Sequence, residues 1–202
     1  TKVTLSDDMT KIADKMFLRC DKLTDINWPS KLEVIGVGAF NDCKLLPSVT
    51  LPASLKEIGD EAFLGCNKIS SVAFPASLEK LGSCAFSKTS LKTITLDENN
   101  SNFRLAGDEL YSNDYRLLYL VPMKGKTTVK TMGACVGING GAFWGSEVEN
   151  VTLSKKVIAI DNFAFCQSAL KSINLPNTLV FIGEQAFAST QLSGDLRLPE
   201  NV

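Results

Sequence analysis

Six cysteines and not one histidine frame the chemistry open to this 202-residue chain. Cys20, Cys43 and Cys66 recur at intervals of 23 residues, unlike the close Cys-x-x-Cys pairs of zinc sites. Three thiols in a row cannot all pair with one another, and a free cysteine packs well as a small apolar side chain. These three are therefore expected to be reduced, buried and structural; Cys84, Cys135 and Cys166 fall in other phases. Without histidine the chain lacks the commonest general base and the commonest metal ligand. A cysteine nucleophile has no imidazole to activate it. The acidic pairs Asp7-Asp8 and Asp60-Glu61 read as solvated turns, and no glycine-rich phosphate loop is present. The expectation is a chain with no catalytic centre, no metal and no cofactor.

Charge narrows the partners. Lys and Arg total 21 against 22 Asp and Glu, a net charge of −1, so there is no basic excess to hold nucleic acid. No apolar run reaches the ~18 residues that would insert in a membrane, and the opening residues lack the pattern of a signal peptide. Two short acceptor patterns, Asn99-Asn100-Ser101 and Asn150-Val151-Thr152, would matter only in a secretory pathway that glycosylates asparagine.

The elements that position these residues form a repeat. Phe17, Phe40, Phe63 and Phe86 stand 23 apart, and Phe143, Phe165 and Phe187 stand 22 apart. Downstream of each motif, pairs such as Val72 and Phe74 or Ile94 and Leu96 alternate with small polar residues. One unit reads as a short strand over Ser71–Phe74, a turn at Pro75, a return leg around Leu78 and a helical turn over Asp60–Leu64. Pro75 ends the strand ladder because it has no N–H, and Gly59 is read as permitting a bend. A unit of this length cannot close a core alone, but stacked coils with parallel strands can.

The skeleton I-G-x-x-A-F-x-x-C-x-x-L-x-x-V-x-L-P resembles the BspA-like subclass of leucine-rich repeats, from Val3 to Pro199. The resemblance implies an α/β solenoid with parallel strands on the concave face and short helical turns on the convex face. It also implies a cell-surface or secreted protein, whose signal and anchor lie outside this chain, in a family where several members act in adhesion. One solenoid domain is expected over 1–202, with repeats in 1–96 and 128–202. Because the chain starts inside a unit and stops at "LPENV", it is expected to be a fragment of a longer one.

Residues 97–127 break the period and read as an inserted hairpin or meander, with strand character at Phe103–Leu105, Glu109–Tyr111 and Arg116–Val121. All three tyrosines, Tyr111, Tyr115 and Tyr119, lie there, and tyrosine is favoured at interfaces. The same rings can equally cover a sheet edge. The second candidate surface is the outward row of the strands, which includes Asn27, Ser48, Thr50, Thr95, Thr152, Asn174 and Asp195. The expected function is a monomeric, non-catalytic protein-interaction or adhesion module. The alternative is a carbohydrate-binding module, which would need an aromatic platform.

Overall fold

A computed structural model describes residues 1–47, 49–194 and 196–202. The chain divides into two compact units, Thr1–Phe103 and Arg104–Val202. Both are stacks of coils built on parallel strand pairing.

Unit 1 carries β1 (Lys2–Val3), β2 (Lys11–Ile12), β3 (Asp25–Ile26), β4 (Val34–Ile35), β5 (Glu57–Ile58), β6 (Ser71–Phe74), β7 (Lys80–Leu81) and β8 (Thr93–Leu96). They fall into two rows. The first row pairs β1 with β3 and β6 with β8, with Val72 opposite Ile94 and Phe74 opposite Leu96. The second row runs β2-β4-β5-β7, registering Ile12, Ile35, Ile58 and Leu81. That second row was read from sequence only as a return leg and a bend. Its strands are two residues long, too short for alternation to announce them.

β9 (Phe103–Ala106) opens the insert. Unit 2 then holds β10 (Glu109–Ser112), β11 (Leu117–Leu120), β12 (Thr128–Lys130), β13 (Gly137–Ile138), β14 (Asn150–Thr152), β15 (Ala159–Ile160), β16 (Ser172–Ile173) and β17 (Phe181–Ile182). The insert is a meander: β9 borders β10, and β10 pairs antiparallel with β11. β11 then pairs in parallel with β13, β13 with β15 and β15 with β17. The last strand of the insert is thus also the first strand of this unit's second row. The first row of unit 2 is β12-β14-β16.

The expected helical turns do not form; the described residues contain no helix. Around each motif phenylalanine the backbone is left-handed at the second residue before and the second residue after it. The pairs are Lys15 and Arg19, Gly38 and Asp42, Glu61 and Gly65, Cys84 and Lys88, Gly141 and Gly145, Phe163 and Gln167, and Gln185 and Ser189. This alternation turns every second N–H toward the next coil. Lys15, Phe17 and Arg19 donate to the carbonyls of Val37, Ala39 and Asn41, at 2.8 Å each. Glu61, Phe63 and Gly65 repeat the pattern to Ser83, Ala85 and Ser87. A helix would spend those donors within its own coil; here they form a third ladder between coils. A left-handed non-glycine residue costs about 1–2 kcal/mol, and each hydrogen bond returns roughly 1 kcal/mol while leaving no buried donor unpaired.

Inside, the rings stack. The centroids of Phe17 and Phe40 lie 5.2 Å apart, Phe40 and Phe63 5.3 Å, and Phe63 and Phe86 5.0 Å. Unit 2 repeats this at 4.5 Å for Phe143–Phe165 and 5.3 Å for Phe165–Phe187. Asp60 is not simply solvated: its Oδ1 accepts the Ser83 N–H at 2.8 Å, as Asp14 does for Val37 at 3.1 Å.

Candidate interaction surface

Each first-row strand turns alternate side chains inward and outward. On the first-row strands of unit 1, Ile26, Val72 and Ile94 are buried and Ser71, Ala73, Thr93 and Thr95 are exposed; outside the strands Val49 is buried and Thr4 and Thr50 are exposed. Thr95 spends its hydroxyl partly on the framework, donating to the Val72 carbonyl at 3.4 Å. In unit 2, Val129 and Val151 are buried and Asn150, Thr152 and Ser172 are exposed. Thr128 and Lys130, absent from the row expected from sequence, flank Val129 on it and are exposed; the polar–apolar–polar run Thr128-Val129-Lys130 is their signal. Ser48 and Asp195 lie outside the described residues.

Two row positions do not serve as expected. Asn27 turns its amide onto the neighbouring coil, accepting from the Leu5 N–H at 2.6 Å and donating to the Leu5 carbonyl at 3.0 Å. Asn174 does the same to Leu153, at 2.6 and 3.2 Å. Each side chain stands in for a strand backbone where the ladder ends, so its polar atoms are already engaged.

The tyrosines separate. Tyr111 corrects the expectation of a contact residue: it is completely buried in the core of unit 2, and its hydroxyl accepts the Met132 N–H at 3.3 Å. Burial drives its hydroxyl well above the usual tyrosine range. Tyr115, half-buried with a left-handed backbone, packs against the same core, its ring 6.1 Å from that of Tyr111. Tyr119 is half-buried on β11, and burial raises its hydroxyl too. Of the three, Tyr119 alternates outward with Leu117 while Leu118 and Leu120 point in.

None of the six cysteines forms a disulfide. Cys43 and Cys66 are fully buried, and their thiols donate to the carbonyls of Phe17 and Phe40 at 3.0 and 3.1 Å. Burial pushes Cys43 up to about 11 and Cys66 further still, which opposes thiolate formation. Cys20 departs from the expectation of burial and is half-exposed. No cluster of three or more His, Cys, Asp or Glu side chains among the described residues has the arrangement of a metal site. No helix among them is long and apolar enough to cross a membrane.

Comparison with known proteins accords with this architecture. The chain is similar in structure to PcpA, a pneumococcal vaccine antigen, at 28% identity and a TM-score of 0.75, over 95% of this chain and 55% of that one. A leucine-rich cell-surface protein of Faecalibacterium prausnitzii is similar at 23% identity and a TM-score of 0.78, over 100% of this chain and 61% of that one. A leucine-rich repeat protein of T. pallidum shares 24% identity with a TM-score of 0.52, over 95% of this chain and 78% of that one. The chain thus spans little more than half the length of the first two. No curated protein sequence matches it significantly. The model of the BspA-type leucine-rich repeat region matches in six copies across residues 1–116 and 134–202, and the chain belongs to that family.

Proposed function

We propose that the chain is a non-catalytic protein-interaction module of a cell-surface or secreted protein, acting in adhesion and contacting its partner through the outward residues of the first strand row. One observation carries this reading. The repeated positions are consumed by the phenylalanine stack, the thiol row and the inter-coil ladders, whereas Thr50, Ser71 and Thr93 in unit 1 and Thr152 in unit 2 are exposed and free to vary. Function concentrates where a rigid scaffold leaves positions unconstrained, and solenoids bind along extended strand faces. The surface location draws support from the description of the F. prausnitzii relative as a cell-surface protein. The carbohydrate alternative loses its aromatic platform, since Tyr111 is buried and Tyr115 packs on the core.

The test is capture of a partner from surface-exposed proteins of the natural environment, followed by charged substitutions. Thr50→Lys with Thr95→Lys, or Thr152→Lys, is expected to weaken capture by at least 10-fold, about 1.4 kcal/mol, with the fold intact. Binding indifferent to both sets would overturn the assignment to this row, and selective retention on a glycan array would favour the carbohydrate reading.

A further inference from the structure

The second strand rows of the two units are alike in backbone and opposite in surface chemistry. In unit 1 the register Lys11, Val34, Glu57, Lys80 and the ladder Thr10, Glu33, Lys56, Glu79 present mainly charged side chains. Lys56 pairs with Glu33 at 3.0 Å and Lys80 with Glu57 at 3.4 Å. In unit 2 the equivalent register is Leu117, Gly137, Ala159, Phe181. The equivalent ladder is Arg116, Val136, Ile158, Val180, with the Val136, Ile158 and Val180 N–H groups each donating to the preceding member's carbonyl. Ile158 is 46% exposed, Val180 55% and Phe181 49%. Ile158 has a coil on either side and is still exposed, so its exposure belongs to the face. Nothing in the coil geometry requires this apolarity, because unit 1 carries charge at the same positions.

We propose that this face is a self-association surface, covered by a second copy of the chain in antiparallel apposition. Charge selects that occupant. Arg116 and Lys156 stand exposed where the strands enter the face, and half-buried Asp161 and exposed Glu184 stand where they leave it. The face therefore has a basic margin and an acidic margin, one at each end of its strands. A copy rotated about a two-fold axis lying across the strands brings Lys156 against the partner copy's acidic margin, and the symmetry makes that contact twice. The apolar centre is closed at the same time. Four strands at a spacing of about 4.8 Å, with roughly two or three residues each at about 3.3 Å per residue, make a face on the order of 200 Å², much less than the roughly 800 Å² that each partner buries in a stable complex. The dimer is accordingly weak and reversible, in the micromolar range or weaker. This departs from the monomer expected from sequence, where the second row was not recognised as strand.

The proposal does not depend on the function proposed above, and its test reads self-association alone. Sedimentation of the full chain between about 10 µM and 1 mM is expected to show a reversible monomer–dimer equilibrium that weakens as salt rises. Ile158→Lys with Val180→Glu places on this face the residue types that unit 1 bears as Lys56 and Glu79, so the fold tolerates them. Dissociation should strengthen by about 30-fold or more, with the circular dichroism spectrum unchanged. Lys156→Glu should also weaken the dimer, and adding Glu184→Lys in the same chain should restore it. A wild-type chain that stays monomeric over this range would overturn the proposal. So would a dimer that survives the Ile158/Val180 variant, or one indifferent to Lys156→Glu.

Discussion

Gly59 lies against Val37 with no room for a side chain between them. A Cβ built on Gly59 would sit 2.7 Å from the Val37 nitrogen and 2.9 Å from the Gly36 carbonyl carbon. The backbone of Gly59 is not left-handed, so the glycine is needed for close approach and not for the bend expected from sequence. Backbone atoms cannot swing aside as a side chain can, and overpacking of this kind costs about 1–3 kcal/mol. Gly59→Ala should lower stability by about 2–3 kcal/mol in chemical denaturation. Gly133→Ala, where nothing lies within 4 Å, should stay within ~0.5 kcal/mol of wild type.

The left-handed positions give predictions of both signs. Gln167 is exposed with φ at 52°, and its N–H donates to the Ala188 carbonyl at 2.8 Å. Gln167→Gly keeps that bond and removes the Cβ penalty, offset in part by added freedom of the unfolded chain. A gain of about 0.5–1 kcal/mol is expected. Gly38→Ala should lose about 1 kcal/mol from backbone strain alone: φ there is 59°, and the new Cβ would meet only the Lys15 Cγ at 3.5 Å and the Asn41 Cβ at 3.8 Å, both ordinary contacts. Paired melting curves of the two variants check both signs.

The repeat was legible because every unit spends its phenylalanine in the same way, stacked on the motif ring of a neighbouring coil. The helical turn over Asp60–Leu64 was misread because Asp-Glu-Ala-Phe-Leu has helix-compatible composition, and only Gly38, Gly65, Gly141 and Gly145 mark the left-handed positions openly. At Lys15, Glu61 or Phe163 the ladder to the next coil overrides residue preference, and ladder partners 21 or 22 residues away leave no local signal. The alternation that placed Asn27 and Asn174 on the strand row gives a side chain's direction but not its partner. Tyr111 was ambiguous for a related reason: Glu109, Leu110 and Tyr111 are all buried, so this strand carries no inside–outside pattern to read.

The thiol row predicts a mild cost for serine. Thr89 and Ser168 occupy the position of Cys43 in other coils, and each donates to its own motif carbonyl, Phe86 at 2.8 Å and Phe165 at 2.7 Å. Cys43→Ser therefore keeps a usable donor and loses mainly sulfur packing, so about 1 kcal/mol is expected, at the low end for a buried polar replacement. The pH dependence follows from the raised thiol. The Cys43 value rises from 9.0 unfolded to about 11 folded, so below pH 9 both states are protonated and the full contribution is present. Between pH 9 and 11 the unfolded thiol ionises while the folded one does not, and stability falls as pH rises. Denaturation at pH 8 and pH 10.5 should show a smaller loss in Cys43→Ala than in wild type, and an equal loss would contradict this assignment. In native protein a maleimide probe should modify Cys20 quickly and Cys43 and Cys66 only on unfolding.

Tyr111 gives the most discriminating test within the insert, because its ring and its hydroxyl do separable work. The ring is enclosed in a cluster that includes Leu118, Val129, Cys135 and Ile138, and the hydroxyl accepts the Met132 N–H at 3.3 Å. Tyr111→Phe removes one hydrogen bond, leaves the ring volume filled, and should cost about 1 kcal/mol. Tyr111→Ser opens a cavity the size of an aromatic ring and should cost about 3–5 kcal/mol, enough to unfold much of unit 2. Tyr119→Ser, on the outward side of β11, should cost about 1 kcal/mol or less because its ring is only half-buried. If Tyr111 were instead a contact residue, its serine variant would melt like wild type while losing partner capture. Melting curves for the three variants decide this before any partner is known, and they leave Tyr119→Ser as the substitution that tests the insert for partner contact with the fold intact.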